Sequence, residues 1–231
     1  MLDDQVIGNV QNCLHLFKSA DSGPSRKKIR ERKADIVNSV VPNVVVIAGP
    51  NGSGKSTAAP FLLRDYLGVK EFVNADIIAE GLSAFDAAKA AVPAGRIMLA
   101  RLDELAASRA DFAFETTLAA RSFSTRLEEL KVRGYQTHLI FLWLPTPEMA
   151  IARVASRVRQ GGHNIPDDVI RRRYDGGLRN FFQLYSPVVD TWRMFDNSNR
   201  NGYELIAQKL PNIKLYVENP AIWNSLVKEY Q

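Results

Sequence analysis

The sequence predicts an α/β fold of three layers, a mostly parallel five-stranded sheet with helices on both faces, preceded by a helical appendage over residues 1–41. Three observations lead there. Short apolar runs alternate along the chain with longer stretches of helical periodicity, the pattern of strands joined by helical crossovers. The first run, Val44 to Ala48, opens into a glycine-rich turn and then directly into a helical segment. With 231 residues and 46% hydrophobic content, the chain fills one substantial core and leaves no room for a second large domain, so residues 42–231 are expected to form one unit.

Taken in order, residues 1 to about 40 read as helical with an interruption at "SADSGPS", and their charged end "RKKIRERKADIVNSV" stops before Pro42. The core begins with the strand at 44–48, followed by a loop and a helix to about Tyr66. A short strand is expected over 71–75, then a long Ala-rich helical region from about Phe85 to Ser108, with Pro93 a candidate break. "FAFE" and "HLIFLWL" supply two further strands, separated by a helix from Ser122 to Arg133 that Gly134 stops. Helical segments dominate from Pro147 to about Tyr185. A last strand falls near Trp192–Phe195, although "VVDTWRMFD" also reads partly as helix.

The turn after the first strand reads "GPNGSGKST", Gly49, Pro50, Asn51, Gly52, Ser53, Gly54, Lys55, Ser56 and Thr57. Gly49, Gly54, Lys55 and Ser56 match G-x-x-x-x-G-K-S/T, the phosphate-binding loop. The glycines let backbone N–H groups turn inward around an anion, and the helix starting near Lys55 adds the positive end of its dipole. Lys55 reaches terminal phosphates and is expected to face solvent in the empty site; Ser56 is a magnesium ligand candidate. The bland alternative is a glycine-rich turn that happens to carry Lys and Ser, and the strand before it and helix after it argue against that. ATP is favoured over GTP because no convincing N-K-x-D guanine-reading motif is present.

Lys and Arg total 30 against 25 Asp and Glu, a net charge of +5 that suits phosphate-bearing ligands without demanding nucleic acid. One basic cluster lies at residues 26–33; the other comprises Arg153, Arg157, Arg159, Arg171, Arg172, Arg173 and Arg179. A single cysteine, Cys13, excludes an intramolecular disulfide framework, and the three histidines, His15, His138 and His163, are too scattered for a zinc site. His138 lies in an apolar strand and reads as structural. No signal-peptide pattern or 18-residue apolar span is seen, so the expectation is a soluble cytoplasmic protein without a membrane segment.

Parallel strands with helical crossovers gather ligands at their carboxyl ends. The polar residues there are the phosphate loop, then Asn74 and Asp76, then Glu115, Thr116 and Thr117, then Asp196, Asn197 and Ser198. "GPNGSGKST", "FVNAD", "FAFETTL", "RVRQGGHNIPDDVIRRRY" and "FDNSN", in this order over roughly Val44 to Asn199, resemble the zeta-toxin family of small-molecule kinases. The resemblance implies a P-loop kinase-like fold and transfer of the γ-phosphate of ATP, with Mg2+, to a small-molecule hydroxyl. In characterised members that hydroxyl belongs to UDP-N-acetylglucosamine, and an antitoxin obstructs nucleotide binding.

Carried onto this chain, the resemblance makes Asp76 the group that orients the acceptor hydroxyl and takes its proton; the alternative is an N-cap for "IIAEGL". Glu115 binds the acceptor or a magnesium-bound water, and Asn74, Thr116 and Thr117 position the acceptor; the alternative is an exposed strand end with capping hydroxyls. Arg153 and Arg157 share a helix face, and across "QGGHNIP" Arg172 and Arg173 follow, resembling a lid hinged at Gly161 and Gly162 that closes on the γ-phosphate. Arg157 and Arg172 are the preferred phosphate ligands, suited by a fork that holds oxygens at two points. Asn197 and Ser198 stand where related kinases place a loop against adenine, and His163 and Asn164 either touch substrate or shape the lid.

A housekeeping nucleotide or metabolite kinase uses the same parts equally well. Readings of another class are a nucleic-acid-binding module using residues 26–33, disfavoured because no reading motif or interleaved aromatic residue accompanies them, and an interaction protein whose first 40 residues dock a partner such as an antitoxin.

Overall fold

The computed structural model describes residues 41–231 except 84, 85, 87, 88, 163, 200, 201 and 212. The expected N-terminal appendage, its basic cluster, Cys13, His15 and His163 lie outside the described residues.

Strand β1 (Asn43–Ala48) is built from β-branched residues and is buried along its length from Val44. The phosphate loop leads into α1 (Lys55–Ala59), which continues in wider π-helical turns over Pro60–Leu67. Then come β2 (Glu71–Val73), α2 (Ala75–Leu82), α3 (Ala91–Ala107), β3 (Phe112–Thr116), α4 (Ser122–Val132) and β4 (Gln136–Trp143). Helix α5 (Pro147–Arg159) and α6 (Asp167–Asn180) follow, α6 running on through a π-helical segment, Phe181–Tyr185, and one turn, Ser186–Val188. The chain ends with β5 (Thr191–Asp196), β6 (Glu204–Leu210), β7 (Ile213–Val217) and α7 (Pro220–Tyr230).

The sheet order is β2-β3-β1-β4-β5-β6-β7. The five expected strands are there and pair in parallel, but the sheet has seven: β6 is antiparallel to β5 and β7 to β6. The first of the two extra strands escaped sequence reasoning because "ELIAQKL" buries Leu205, Ile206 and Ala207 in succession, without the alternation that marks a half-exposed strand. Two boundaries also shift. The second strand ends at Val73 because Asn74 caps the next helix, and Pro93 falls in the first turn of α3, where its missing N–H costs nothing.

Along β1, alternate side chains enter two apolar layers. Val44 and Val46 join Phe112, Phe114, Leu139 and Phe141 in the larger layer, while Val45 and Ile47 join Ala113, Ile140 and Leu142 beneath Ala58 of α1 and Leu62 and Leu63 of its π-helical continuation. Trp192 of β5 stacks on Trp223 of α7 with ring centroids 5.4 Å apart, which pins the last helix to the larger layer. No helix among the described residues is long and apolar enough to cross a membrane.

Candidate functional site

The register of the central strands builds the site. Glu115 pairs with Ile47, so its side chain emerges on the face covered by α1, beside the start of that helix. Its carboxylate accepts from Ser56 Oγ at 2.9 Å and from Asn74 Nδ2 at 2.7 Å, and lies 3.7 Å from Lys55 Nζ. One carboxylate therefore ties together the phosphate loop, β2 and β3.

Gly49 begins the loop with φ 137°, and a Cβ there would lie 2.2 Å from the carbonyl oxygen of Leu142, so only glycine fits. Lys55 does not face solvent as its motif suggested. It is 6% exposed, folded back to donate to the carbonyls of Gly49 at 2.9 Å and Pro50 at 2.8 Å. Burial holds its pKa below the ordinary lysine value, a fall that Glu115 and then Asp76 oppose. Asn51 Oδ1 and Ser53 Oγ are buried with no hydrogen-bond partner among the described residues.

Asn74, not Asp76, caps α2: its Oδ1 accepts from the backbone N–H of Asp76 at 2.8 Å. The carboxylate of Asp76 is released from capping and lines two adjoining cavities. The first, about 360 Å³, is bounded by the phosphate loop from Asn51 to Thr57 together with Arg153, Ser156, Arg157 and Gln160 of α5 and its end. The second, about 370 Å³, is bounded by Asn74, Thr116, Thr117, Ala119, Phe123, Met98, Leu99 and Arg173 among others. Asn51, Lys55, Asp76 and Glu115 line both.

The arginines divide. Arg157, one of the two expected phosphate ligands, borders the first cavity and Arg173 the second, whereas Arg172, the other expected ligand, is exposed and lines neither. Arg171 pairs with Glu148 on the surface. Helix α6 packs on the core: Tyr174 is buried and its hydroxyl donates to the carbonyl of Leu144 at 2.7 Å. Asn197 and Ser198 line neither cavity. Asn197 Nδ2 donates to the carbonyl of Ser53 at 2.8 Å and Arg153 to the carbonyl of Ser198 at 2.9 Å, so this loop buttresses the phosphate loop from behind. Thr116 and Thr117 line the second cavity, their hydroxyls accepting from the N–H groups of Leu118 and Ala119. Sequence reasoning missed Met98, Leu99 and Phe123, whose apolar side chains at helical spacing carry only a core signal. It also left Asn51 as one loop residue among nine, although an uncapped amide in a glycine loop was a signal.

Among the described residues no cluster of three or more His, Cys, Asp and Glu is placed to hold a metal ion. Ser56 Oγ and the Glu115 carboxylate form a hard-oxygen pair of the kind magnesium takes when phosphates complete its shell.

A parallel sheet with a glycine loop between β1 and α1, a buried lysine and two cavities meeting at carboxylates defines a P-loop phosphate-binding protein. The chain belongs to the AAA domain family AAA_33, whose model matches residues 44–184. It is 30% identical over 130 residues to an uncharacterized protein of Haemophilus influenzae, covering 56% of this chain and 91% of that one. Its fold resembles that of a chain in the crystal structure of AvrRxo1-ORF1:-ORF2 with ATP (TM-score 0.67, 16% identity, 96% of this chain and 69% of that one). It also resembles a structure from the PezAT chromosomal toxin–antitoxin system of Streptococcus pneumoniae (TM-score 0.54, 16% identity, 85% and 79%). The α/β P-loop fold that the zeta-toxin resemblance implied is the fold found.

Proposed function

We propose that this protein is an ATP-dependent phosphotransferase that moves the γ-phosphate to a hydroxyl of a small molecule, acting as the toxin of a toxin–antitoxin pair. The observation that carries this is the junction of the two cavities. A triphosphate in the first and a hydroxyl in the second meet at Lys55, Asp76, Glu115 and Asn51, the arrangement in-line transfer needs. Lys55 swings from the carbonyls of Gly49 and Pro50 to the terminal phosphates, Arg157 meets the outer phosphate oxygens, and Asp76 takes the hydroxyl proton as the oxygen attacks. Ser56, with Glu115 behind it, would hold magnesium, which when bound neutralises charge on the β- and γ-oxygens. Arg173, from the acceptor cavity, adds positive charge on the acceptor side, a role different from the phosphate contact expected of Arg172.

The toxin role draws support from the two solved neighbours, one from a toxin–antitoxin system and one from a two-protein complex. A UDP-amino sugar is the first acceptor to try. The test is purified protein with γ-labelled ATP and magnesium, offered UDP-N-acetylglucosamine and, separately, a bacterial metabolite extract. Label in a small-molecule product, lost in Asp76→Asn, supports the proposal; ATP consumption with no labelled product in either mixture removes it. Growth arrest on expression, relieved by Asp76→Asn, supports the toxin role, and unaffected growth favours a housekeeping kinase.

A further inference from the structure

The wall of the second cavity is an unusual piece of backbone. Leu118 has φ 59°, left-handed geometry that a branched side chain disfavours, yet its side chain is completely buried. Such a conformation persists only where the surroundings over-determine it. Here the surroundings are one face of α6 and the turn after it.

Asn180, 8% exposed, donates from Nδ2 to the carbonyl of Leu118 at 2.7 Å and to that of Ala119 at 3.2 Å. The Tyr185 hydroxyl donates to the carbonyl of Ala120. Three successive carbonyls are thus answered by donors from one continuous stretch of chain, that of the buried Leu118 among them. At Gly177 a Cβ would lie 2.4 Å from the carbonyl oxygen of Thr117, so the loop rests on the helix only because that position has no side chain. Arg173, Gly177 and Asn180 are spaced i, i+4, i+7 and lie along one face of α6. Arg173 lines the same cavity as Thr116, Thr117, Ala119 and Ala120.

We infer that this face of α6 sets the shape of the acceptor cavity: Gly177, Asn180 and Tyr185 are positioning residues that hold the Thr116–Ala120 loop in register with Arg173. The inference rests on the phosphotransferase proposal in taking the second cavity as the acceptor's. Its consequence is a separation of roles between helices. Helix α5 serves the nucleotide through Arg157, and α6 serves the acceptor by presenting Arg173 and shaping the wall opposite. The acceptor then meets a preformed surface and does not pay to order the loop.

The experiment uses the full chain and the variants Gly177→Ala, Asn180→Ala and Tyr185→Phe, the last removing only a hydroxyl should the others fold poorly. Three quantities are read: affinity for a non-hydrolysable ATP analogue with magnesium, the concentration of bacterial metabolite extract giving half-maximal label transfer, and hydrogen exchange over residues 117–120. The expected result is ATP affinity within about twofold of the parent, a half-maximal extract concentration raised about tenfold in Gly177→Ala and Asn180→Ala and less in Tyr185→Phe, and faster exchange in the loop. A merely structural role lowers ATP affinity and acceptor use together, and that outcome overturns the inference, as does unchanged loop exchange. If the parent transfers no label from the extract, the phosphotransferase proposal fails instead, and the exchange arm still decides whether α6 clamps the loop.

Discussion

The two ends of the sheet hold cavities of similar size, about 360 Å³ beside the phosphate loop and about 330 Å³ at the opposite end, and treat their polar groups in opposite ways. At the far end, His138 is answered on both ring nitrogens, Nδ1 by Thr191 Oγ1 at 2.7 Å and Nε2 by Asn43 Oδ1 at 3.1 Å. Arg193 donates to Gln208, and Asp111 accepts from the backbone of Asn43. At the phosphate-loop end, Asn51 and Ser53 carry two of the four buried side-chain polar atoms without a partner among the described residues, the other two being tryptophan ring nitrogens. There a lysine is held below its ordinary pKa by burial, and a leucine nearby is left-handed. Satisfied polar groups close a cavity as structure. Unsatisfied ones fall at the end where the proposed nucleotide sits.

The largest effect expected from this contrast is at Asp76. Asp76→Asn lowers transfer about a thousandfold while ATP affinity, measured by calorimetry, stays within a few-fold, because the amide occupies the same place but takes no proton. Equal loss of binding and transfer makes Asp76 a donor-site residue instead. Lys55→Ala costs several hundredfold in transfer, about 3–4 kcal/mol of transition-state stabilisation. His138→Gln, at the opposite end of the sheet, leaves turnover near that of the parent; a matching loss there erases the distinction between the two ends.

Arg173→Ala weakens acceptor use about tenfold, the loss of one charge-assisted contact, and Arg172→Ala changes it less than twofold. Steady-state kinetics with varied extract separates them, and the reverse ranking restores Arg172 to the site.

The smallest effects are in pH dependence. Burial lowers the pKa of His138 from 6.5, with Asp190 opposing and Arg193 adding to the fall. The neutral ring is favoured in the folded chain, so its contribution to stability is full above pH 6.5. As pH falls, the unfolded chain protonates first, and stability is lost down through the lower folded value. Denaturant unfolding of the parent across this range slopes downward toward acid, and His138→Gln flattens the slope. At the other end burial lowers the pKa of Lys55 in the same direction. The lysine is partly neutralised by burial at alkaline pH, and bound triphosphate raises its pKa again, so ATP binding takes up protons there; calorimetry in buffers of different ionisation enthalpy reads that uptake, which Lys55→Met removes.

Much of this was legible in the chain. The five parallel strands follow from apolar runs separated by helical periods, since burial on both faces demands continuous hydrophobic strands. The phosphate loop follows from glycines and a lysine at fixed spacing, a local rule, and the polar residues at strand ends follow from the crossover topology. Asp76 and Glu115 were found this way, and both stand at the junction of the cavities.

What the sequence by itself determined is therefore what depends on neighbours in the chain: the five parallel strands, the helices between them, and the glycine and lysine spacing of the phosphate loop. What only the tertiary structure decided depends on distant partners. Arg172 and Arg173 are adjacent and chemically identical, and only the roll of α6 against the core, fixed by Ile170, Tyr174 and Leu178, turns one toward a cavity and the other outward. Asn180 and Gly177 look like an ordinary polar residue and a helix-weakening glycine until the loop from β3 is laid across them, because a carbonyl's need for a donor, or for empty space, is visible only once the two segments meet.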